Sequence, residues 1–355
     1  MGQTLYRRPL PAEAIEFSSP EGRRIFAEAL AASELDGYFR LAEQFHTQSD
    51  PAFCGLGSLV VALNALGIDP GRLWKGPWRW FAEDLLDCCV PLSTVRERGL
   101  DFDELACLAR CNGAEVALCR ADGSDAPAFR EALRGASDGG SVVVVAYDRA
   151  RLGQTGSGHF SPIGGFHSRR DLALVLDVAR FKYPPHWVPV ERLFHAMESV
   201  DPATGRARGF MTLRARRSGL ALGFSLRCDG ESWAGLAGRL GSIVGGLHAH
   251  PDLATLARAV APLTANVELR IPTAPTHEQE LVEARAALRA LPGYGEIEAA
   301  VGADAEAVTA LLLAMVERLP ARLRSSLEPV EERSAALANE LANLRAQLEA
   351  MGGAV

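Results

Sequence analysis

Apolar residues recur at helical spacing in the segment that follows the turn signal Asp50-Pro51. The recurring residues are Leu59, Val60, Leu63 and Leu66, and the run stops at Gly67. Apolar side chains at three- and four-residue steps form one face of a helix, and a glycine commonly follows the last turn. The pattern therefore predicts a buried helix that begins at Cys54 and ends before Gly67.

Short runs rich in β-branched and apolar residues predict strands farther along the chain. Such runs occupy residues 141 to 147, 159 to 166 and 172 to 180. If the last two runs form an antiparallel hairpin that turns near residues 168 and 169, His159 lies opposite residues 177 to 179, which include Asp177. A register slip of one residue would separate these two side chains, because neighbouring positions on a strand face opposite sides of the sheet.

The last third of the chain has a helical pattern. Helices are predicted over residues 276 to 290, over residues 304 to 319 and from about residue 330 onward. The last of them carries an a/d seam, with apolar residues at alternating four- and three-residue steps: Leu337, Leu341, Leu344, Leu348 and Met351. The seam is short for a stable coiled coil. We expect it to dock on its own domain, and a homodimer is the alternative.

Length, charge and cysteine content narrow the class of protein. A chain of 355 residues exceeds what one core usually supports, so we expect two domains, residues 1–218 and a mainly helical region 219–355. A net charge of −7 argues against nucleic acid as a partner, and the apolar runs fall short of the roughly 18 residues of a membrane span. Seven cysteines and no secretory leader predict reduced thiols and a cytoplasmic location.

Cys54 is a candidate nucleophile because the predicted helix begins there. The unpaired backbone N–H groups and the dipole of a helix N-terminus favour a thiolate. The side-chain amide of Gln48, six residues upstream, is placed to donate to an oxyanion formed on the thiol. The alternative is a small apolar cysteine packed in a core.

The predicted contact between His159 and Asp177 would supply the base for that nucleophile. A histidine oriented by a carboxylate is the general-base arrangement that a cysteine nucleophile requires. The alternative is a structural hydrogen bond between two strands.

Four further cysteines are weak candidates for metal ligands. Cys88 and Cys89 are adjacent, and Cys107 and Cys111 lie four residues apart on one face of a predicted helix, where two thiolates can grip a soft metal. The sequence has neither a C-x-x-C pair nor a matched set of four cysteines. We therefore expect no permanent metal site, and buried thiols are the favoured interpretation.

Three tryptophans and two cations fall within eight residues: Trp74, Lys75, Trp78, Arg79 and Trp80. This group is interpreted either as a stacking platform for a ligand or as the rigid floor of a core. The second interpretation is favoured, because large aromatic side chains usually bury most of their area while long cations extend to water.

Several long blocks of sequence resemble the phytochelatin synthase family. They are residues 48–59, which begin Gln-Ser-Asp-Pro-Ala-Phe-Cys-Gly, and residues 64–81, 154–165 and 176–189. The likeness runs from Leu5 to Met211. It implies an α+β, papain-like cysteine peptidase fold in which Cys54, His159 and Asp177 match the catalytic triad and Gln48 the oxyanion donor.

The same resemblance assigns further residues to substrate binding. Arg180 matches an arginine beside the active site, and the residues associated with substrate handling are Arg149, Lys182 and Tyr183, with Thr47 next to Gln48 as an additional candidate. Phe53 stands where plant-type members commonly have tyrosine, so one hydroxyl group is absent. Residues 220 to 355 contain only Cys228, whereas plant-type members carry a cysteine-rich tail.

The activity that the resemblance implies is transfer of γ-Glu-Cys from one glutathione to another through a thioester on Cys54. No covalent cofactor is expected, and cadmium or zinc would act as activators that arrive mainly as glutathione thiolate complexes. The first alternative is an enzyme of the same fold that only removes glycine from glutathione or its conjugates. A general papain-like protease and a non-enzymatic thiol metal buffer are further alternatives, and the buffer would need clustered cysteine repeats that this sequence lacks.

Overall fold

The computed structural model describes residues 7–70, 74–215, 224–226, 233–246, 252–269, 275–327 and 334–350. The chain divides into two compact units. The first comprises Met1–Ile68, Phe81–Leu86 and Leu92–Ala215, and the second comprises Asp69–Trp80, Asp87–Pro91 and Arg216–Val355. The predicted domain boundary after residue 218 lies outside the described residues, and two short segments before it group with the second unit.

The described part of the first unit contains a seven-stranded antiparallel sheet in the order β1-β6-β5-β4-β3-β7-β2. Its strands are β1 (Ile15–Glu16), β2 (Ala114–Arg120), β3 (Val142–Asp148), β4 (Gly158–His167), β5 (Leu172–Val175), β6 (His186–Pro189) and β7 (Gly209–Ala215). β3 is the predicted buried strand, and its first six residues are buried. The α+β class predicted for this region is confirmed.

Seven helices accompany the sheet in the described residues of this unit. They are α1 (Pro20–Ala31), α2 (Tyr38–Gln44), α3 (Cys54–Ala65), α4 (Leu92–Arg98), α5 (Phe102–Cys111), α6 (Ala126–Gly135) and α7 (Val190–Met197). Ser19 and Asp125 cap α1 and α6 through their side chains, and Asp101 and Glu104 form a capping box at α5. These caps satisfy backbone N–H groups that have no partner within the helix, and they fix where each helix begins.

The core of the first unit forms between the sheet and its helices. Phe129 of α6 and Phe194 of α7 pack with Phe210 of β7 in one buried cluster, with the rings of Phe129 and Phe210 5.0 Å apart. α3 packs against β3 and β4, and ten of its twelve residues are buried. This helix is apolar on all sides, which is the property of a helix enclosed by protein.

The predicted hairpin between β4 and β5 is present. Phe166 pairs with Ala173 and His167 with Leu172, so the chain turns over residues 168 to 171, slightly later than predicted. The register shifts by one residue between Ile163 and Gly165. β5 ends at Val175, and Asp177 lies in the segment that follows the strand.

The described part of the second unit is mainly helical. Its helices are α8 (Trp233–Gly245), α9 (Leu253–Val260), α10 (Pro275–Arg289), α11 (Tyr294–Val301), α12 (Ala305–Ala314), α13 (Ala321–Arg324) and α14 (Ala335–Ala350), and β8 (Phe224–Leu226) pairs with β9 (Val267–Leu269). The predicted helices at residues 276 to 290, at residues 304 to 319 and after residue 330 correspond to α10, α12 and α14. The middle one ends earlier than predicted, at Ala314.

The leucine seam of α14 is buried within the second unit. Leu337, Leu341 and Leu344 have no exposed surface, and Leu348 is 5% exposed. α14 packs against α10, α12 and β8, and the buried side chains of Glu340 and Gln347 accept hydrogen bonds from the backbone of Phe224 and Leu226. The seam therefore docks on its own unit, as expected. Met351 lies outside the described residues.

The interpretation of the tryptophan group as a core floor is wrong. Trp74, Trp78 and Trp80 are 36%, 69% and 42% exposed. The backbone N–H of Trp74 donates to the carbonyl of Trp78 at 2.8 Å across a tight turn, in which Gly76 has a φ of 54°, a conformation that glycine adopts without strain.

No helix in the described ranges has both the length and the apolar content needed to cross a lipid bilayer.

Truncation of the seam should destabilise the second unit. Leu341→Ala removes a fully buried side chain from α14, so we expect a loss of about 2–5 kcal/mol in the free energy of unfolding. Val282→Ala on α10, where the side chain is 61% exposed, is the matched control and should change stability by less than about 0.5 kcal/mol. Urea denaturation followed by circular dichroism measures both, and equal losses in the two variants would contradict this assignment.

Candidate active site

Cys54 is the first residue of α3, as predicted. The turn before it is closed by the backbone N–H of Phe53, which donates to the carbonyl of Asp50 at 3.0 Å, and by the Asp50 carboxylate, which accepts from Ala52 N–H at 3.0 Å. Cys54 is partly exposed, whereas the next nine residues are buried. The thiol therefore lies at the positive end of a helix dipole and at the edge of the core.

His159 lies on β4, directly opposite Tyr147 of β3, whose ring stands nearly perpendicular to the imidazole. Its Nε2 is 2.9 Å from Oδ1 of Asp177. Because an ionised carboxylate only accepts hydrogen bonds, Nε2 carries a proton and Nδ1 is left for the thiol of Cys54. The predicted contact between His159 and Asp177 is present.

Asp177 is fully buried, and its carboxylate accepts hydrogen bonds from several donors. Besides His159, its Oδ1 accepts from the backbone N–H of Ala179 at 2.9 Å. Nη2 of Arg149 is 2.8 Å from both oxygens, with the hydrogen bond directed at Oδ1. These contacts compensate a charge that is very costly to bury alone.

The charges of the site shift the pKa values in directions that suit nucleophilic catalysis. Burial opposes the thiolate of Cys54, but the charge and hydrogen bond of His159, a Phe160 backbone N–H and the charge of Arg149 together lower its pKa. Burial also opposes the imidazolium of His159, but the Asp177 carboxylate outweighs it and raises that pKa. The pKa of Asp177 stays well below its usual range despite burial, because His159 and Arg149 favour the carboxylate.

These two shifts favour the same charge state of the Cys54–His159 pair. The thiolate forms as the pH rises through the lowered pKa of Cys54, and the imidazolium is lost as the pH rises through the raised pKa of His159. The lowered pKa of Cys54 and the raised pKa of His159 both favour a thiolate next to an imidazolium, a state that holds both a nucleophile and an acid.

Gln48 lies in the turn that precedes Cys54 and is 4% exposed. Its amide nitrogen donates to the carbonyls of Asp50 and Pro51 at 2.8 and 3.0 Å, and its backbone N–H donates to Val178 O at 3.0 Å. Gln48 therefore ties the turn before the nucleophile to the segment that carries Asp177. Its role as oxyanion donor stays a prediction, and it would require the amide to release one of the two carbonyls.

Glu83 is a site residue that the sequence reasoning missed. It is 6% exposed, and its Oε2 accepts from the backbone N–H of Ser49 at 3.0 Å and also from the Ser49 hydroxyl. This carboxylate holds the same turn from the other side. No local pattern predicts the contact, because 34 residues separate the partners.

The predicted substrate residues occupy different environments. Arg149 is 3% exposed and Tyr183 is 1% exposed, with its hydroxyl accepting from Thr155 N–H at 2.7 Å. Lys182 is partly buried, which lowers the pKa of its ammonium group. Arg180 is exposed and lies over the ring of Phe45 at 4.9 Å, and Thr47 is exposed.

A cleft of about 310 Å³ opens at Cys54 and His159. Four charged residues line it, Arg98, Asp101, Asp201 and Arg208, together with apolar and small residues that include Ala146, Ser157, Gly158, Phe102 and Phe160. The sequence reasoning singled out none of the four charged residues. The turn signal Asp-Pro-Ala-Thr-Gly at 201 to 205 is the feature that could have located Asp201 and Arg208 at one loop.

Two of the charged cleft residues lie in constrained surroundings. Burial and then the charge of Glu104 raise the pKa of Asp101 to about 6, so this carboxyl is partly protonated just below neutral pH. Arg208 is 6% exposed and donates to the carbonyls of Ser199 and Val200. A side chain at Gly158 would come within 3.1 Å of the Arg208 guanidinium, so the close approach favours glycine there.

The four cysteines considered as metal ligands are all buried. Cys107 and Cys111 lie on α5 in the first unit, and Cys88 and Cys89 belong to the second unit, with their sulfurs 3.9 Å apart. Their role in metal binding stays a weak prediction.

The described contacts place the Cys54 thiol at the start of α3, beside a histidine that is hydrogen-bonded to a buried aspartate. The sequence model described as phytochelatin synthase matches residues 5–210. The chain belongs to the phytochelatin synthase family.

Curated relatives show the same likeness. The chain is 52% identical over 236 residues to glutathione gamma-glutamylcysteinyltransferase 1 of Arabidopsis thaliana, which covers 66% of this chain and 49% of the relative. It is 53% identical over 236 residues to the protein of the same name from Triticum aestivum, an alignment that covers 66% of this chain and 47% of that relative. It is 42% identical over 212 residues to the glutathione gamma-glutamylcysteinyltransferase of Schizosaccharomyces pombe, an alignment that covers 59% of this chain and 51% of that relative. The chain thus spans about half the length of the curated relatives it matches.

Asp177→Asn tests the shared carboxylate. Activity should fall by roughly 10²- to 10⁴-fold, because the amide no longer stabilises the imidazolium. The structure adds a second expectation, since the variant leaves the buried Arg149 without a counter-charge, and stability should fall by about 3–5 kcal/mol.

The matched control is Asp171→Asn, which breaks a partly exposed carboxylate pair with Arg130 on the surface. Its cost should be at most about 1 kcal/mol, without loss of turnover. Turnover and denaturant unfolding measure the two effects. Near-normal turnover and stability in Asp177→Asn would contradict the role given to this carboxylate.

Proposed function

We propose that this chain is a glutathione γ-glutamylcysteinyltransferase that makes phytochelatins through a thioester on Cys54. The observation that carries the proposal is the contact of Cys54 with His159 and of His159 with Asp177, in a chain of the phytochelatin synthase family. We also propose that the first unit has the papain-like fold. A helix that begins at the nucleophile and a sheet that supplies the histidine support this finer assignment.

The first half of the reaction releases glycine. The Cys54 thiolate attacks the carbonyl that joins the γ-Glu-Cys unit of glutathione to glycine. His159 then gives its Nδ1 proton to the departing glycine amine, and a γ-Glu-Cys thioester remains on the sulfur. Asp177 keeps the ring in the orientation and tautomer that this transfer requires.

The negative oxygen of the tetrahedral intermediate needs donors at the start of α3. The first backbone N–H groups of a helix have no partner within that helix, and the helix dipole favours an anion at this end. The Gln48 amide is the second donor in this proposal, after it releases one of the carbonyls it now holds.

The second half of the reaction decides between synthesis and hydrolysis. If the amine of a second glutathione attacks the thioester, with His159 as base, the peptide grows by one γ-Glu-Cys unit. If water attacks, the outcome is deglycylation alone. Transfer is faster only when the acceptor is held near the thioester and water is displaced.

The cleft suits a small zwitterionic peptide. Glutathione carries one ammonium group and two carboxylates, and the cleft is lined by the guanidinium groups of Arg98 and Arg208 and by the carboxyl groups of Asp101 and Asp201. The Arg98 guanidinium is itself paired with Glu104. A general protease would need an open groove for an extended chain, whereas this cavity has a volume of about 310 Å³. These features favour a glutathione-sized substrate over an unfolded protein.

Metal ions enter this proposal as part of the substrate. Cadmium and zinc prefer thiolate ligands, so each would arrive as a complex with glutathione sulfur. Because the nucleophile must stay a reduced thiol, we propose a reducing compartment such as the cytoplasm.

The decisive experiment incubates the full chain with glutathione, with and without cadmium, and resolves the thiol products by mass. We expect glycine release, products longer by γ-Glu-Cys units, and more chain growth with cadmium. Cys54→Ser should lower glycine release by more than about 10³-fold, because a hydroxyl is far harder to ionise than a thiol.

The matched controls are single serine replacements of Cys88, Cys89, Cys107 and Cys111, which should leave the first step largely intact. Glycine release without longer products would select the hydrolase alternative. Retained activity in Cys54→Ser would rule out the mechanism.

We also propose that the region after residue 218 is dispensable for acylation and serves stability and the response to metal. Cys54, His159 and Asp177 all lie in the first unit, together with Gln48. A fragment that ends at Ser218 should therefore release glycine from glutathione without cadmium. Its thermal stability should be lower, because two of its segments, Asp69–Trp80 and Asp87–Pro91, lose the rest of the second unit.

Circular dichroism establishes whether that fragment is folded, and acyl-enzyme mass measures the first step. A folded fragment that forms no acyl-enzyme would show that the second region contributes to the chemistry.

A further inference from the structure

A chain of buried side chains continues from Asp177 away from Cys54. Arg149 Nη1 donates to Gln154 Oε1 at 2.7 Å, and Gln154 Nε2 lies 3.0 Å from His186 Nε2. His186 Nδ1 lies 2.8 Å from the carbonyl of Pro184. Gln154 is 5% exposed and His186 has no exposed surface.

The chemistry of these groups permits only one direction of donation. The Pro184 carbonyl only accepts, so His186 Nδ1 carries the proton. Burial lowers the pKa of His186, which keeps the ring neutral and leaves a lone pair on Nε2. Nε2 therefore accepts from the Gln154 amide, whose oxygen accepts from Arg149. The guanidinium is fixed at both ends, by Gln154 on one nitrogen and by Asp177 on the other.

Arg149 has little capacity left for a substrate. It is 3% exposed, its two terminal nitrogens are engaged, and its guanidinium lies 5.1 Å from the centre of the Tyr183 ring. It does not line the cleft at Cys54. Its positive charge does act on the Cys54–His159 pair: against the effect of burial, His159, then the Phe160 backbone N–H and then Arg149 lower the pKa of Cys54.

We propose that Gln154 and His186 are positioning residues that hold the Arg149 guanidinium against Asp177 and thereby set the pH range in which Cys54 and His159 form a thiolate–imidazolium pair. The resemblance to the family associates Arg149 with substrate handling, and its buried contacts instead favour a role exerted through the triad. The inference rests on the proposed function only in taking Cys54 as the nucleophile.

The positive charge of Arg149 shifts the pKa of Cys54 and the pKa of His159 in the same direction. A nearby cation favours the thiolate and disfavours the imidazolium, so it lowers the pKa of each. If Arg149 loses its support and moves away, both values should rise together. A merely loosened fold would lower the rate without moving both values in one direction.

The other titratable groups that face Arg149 or its neighbours are Tyr147, Asp177, Lys182, Tyr183 and His186, with Arg8 beside Lys182.

The test measures alkylation of Cys54 by iodoacetamide in the full chain without glutathione, across a series of pH values, with the Cys54 peptide followed by mass spectrometry. The rate should show two inflections, one for thiolate formation and one for loss of the imidazolium. Gln154→Leu and His186→Leu each remove one hydrogen-bonding group from the series that runs from Arg149 to His186. We expect both inflections to move upward by about half a pH unit to one unit in each variant.

His186→Gln is the rescue variant, because its amide oxygen can take the place of Nε2 as acceptor. It should return both inflections most of the way to the wild-type values. His167→Leu is the matched control, since His167 is another buried histidine of the same unit, 3% exposed, whose Nε2 lies 3.1 Å from Glu28. That variant should leave both inflections unchanged.

Unmoved inflections in folded Gln154→Leu and His186→Leu would overturn the proposal. So would a change confined to the KM for glutathione, which is the signature of a substrate contact. If the leucine variants do not fold, Gln154→Asn decides, because it keeps the amide but is one methylene too short to bridge Arg149 and His186. The readout needs no substrate, so absence of glycine release would refute the proposed function without affecting this test.

Discussion

The Asp177 carboxylate is fully buried, and the catalytic region of the first unit is arranged to compensate its charge. A charge in this position is tolerated only with close counter-charges and hydrogen bonds. His159 comes from β4, Arg149 from the turn after β3, and the Ala179 N–H from the same loop as Asp177. Because three segments meet at this carboxylate, it holds His159 in place and also links the Cys54–His159 pair to the buried residues Arg149, Gln154 and His186.

Cys54 is positioned by contacts other than those that surround Asp177. α3 is buried on all sides, so its first residue cannot shift without disturbing the core. The turn before it is held by Gln48 from one side and by Glu83 through Ser49 from the other. Since the backbone of Gln48 also bonds Val178, the turn that carries the thiol is tied to the loop that carries Asp177. This linkage fixes the position of Cys54 relative to the loop of Asp177, and in the proposed reaction it would lower the entropy cost of bringing the thiol and His159 together.

Local pattern predicted the parts of this site that depend on local geometry. The helix start at Cys54, the strand β3 and the β4–β5 hairpin follow from periodicity and turn residues. The hairpin also predicted that His159 lies near Asp177, and the two side chains are in contact although β5 ends before Asp177 and the register shifts by one residue. Contacts between distant segments have no such signal. The position of β3 between β4 and β7, the support of Ser49 by Glu83 and the link from Arg149 to His186 all join residues far apart in sequence. The exposed Trp78 shows the same limit, because composition does not say whether an aromatic turn finds a layer to pack against.

The central claim is that Cys54 becomes acylated by the γ-Glu-Cys part of glutathione. The most direct measurement mixes the full chain with glutathione, quenches the reaction in acid within the first turnover, and determines the mass of the peptide that contains Cys54. A γ-Glu-Cys group bound as a thioester, and removed by hydroxylamine, is the predicted result. An unmodified Cys54 peptide while glycine is being released, or an acyl group on another cysteine, would contradict the account.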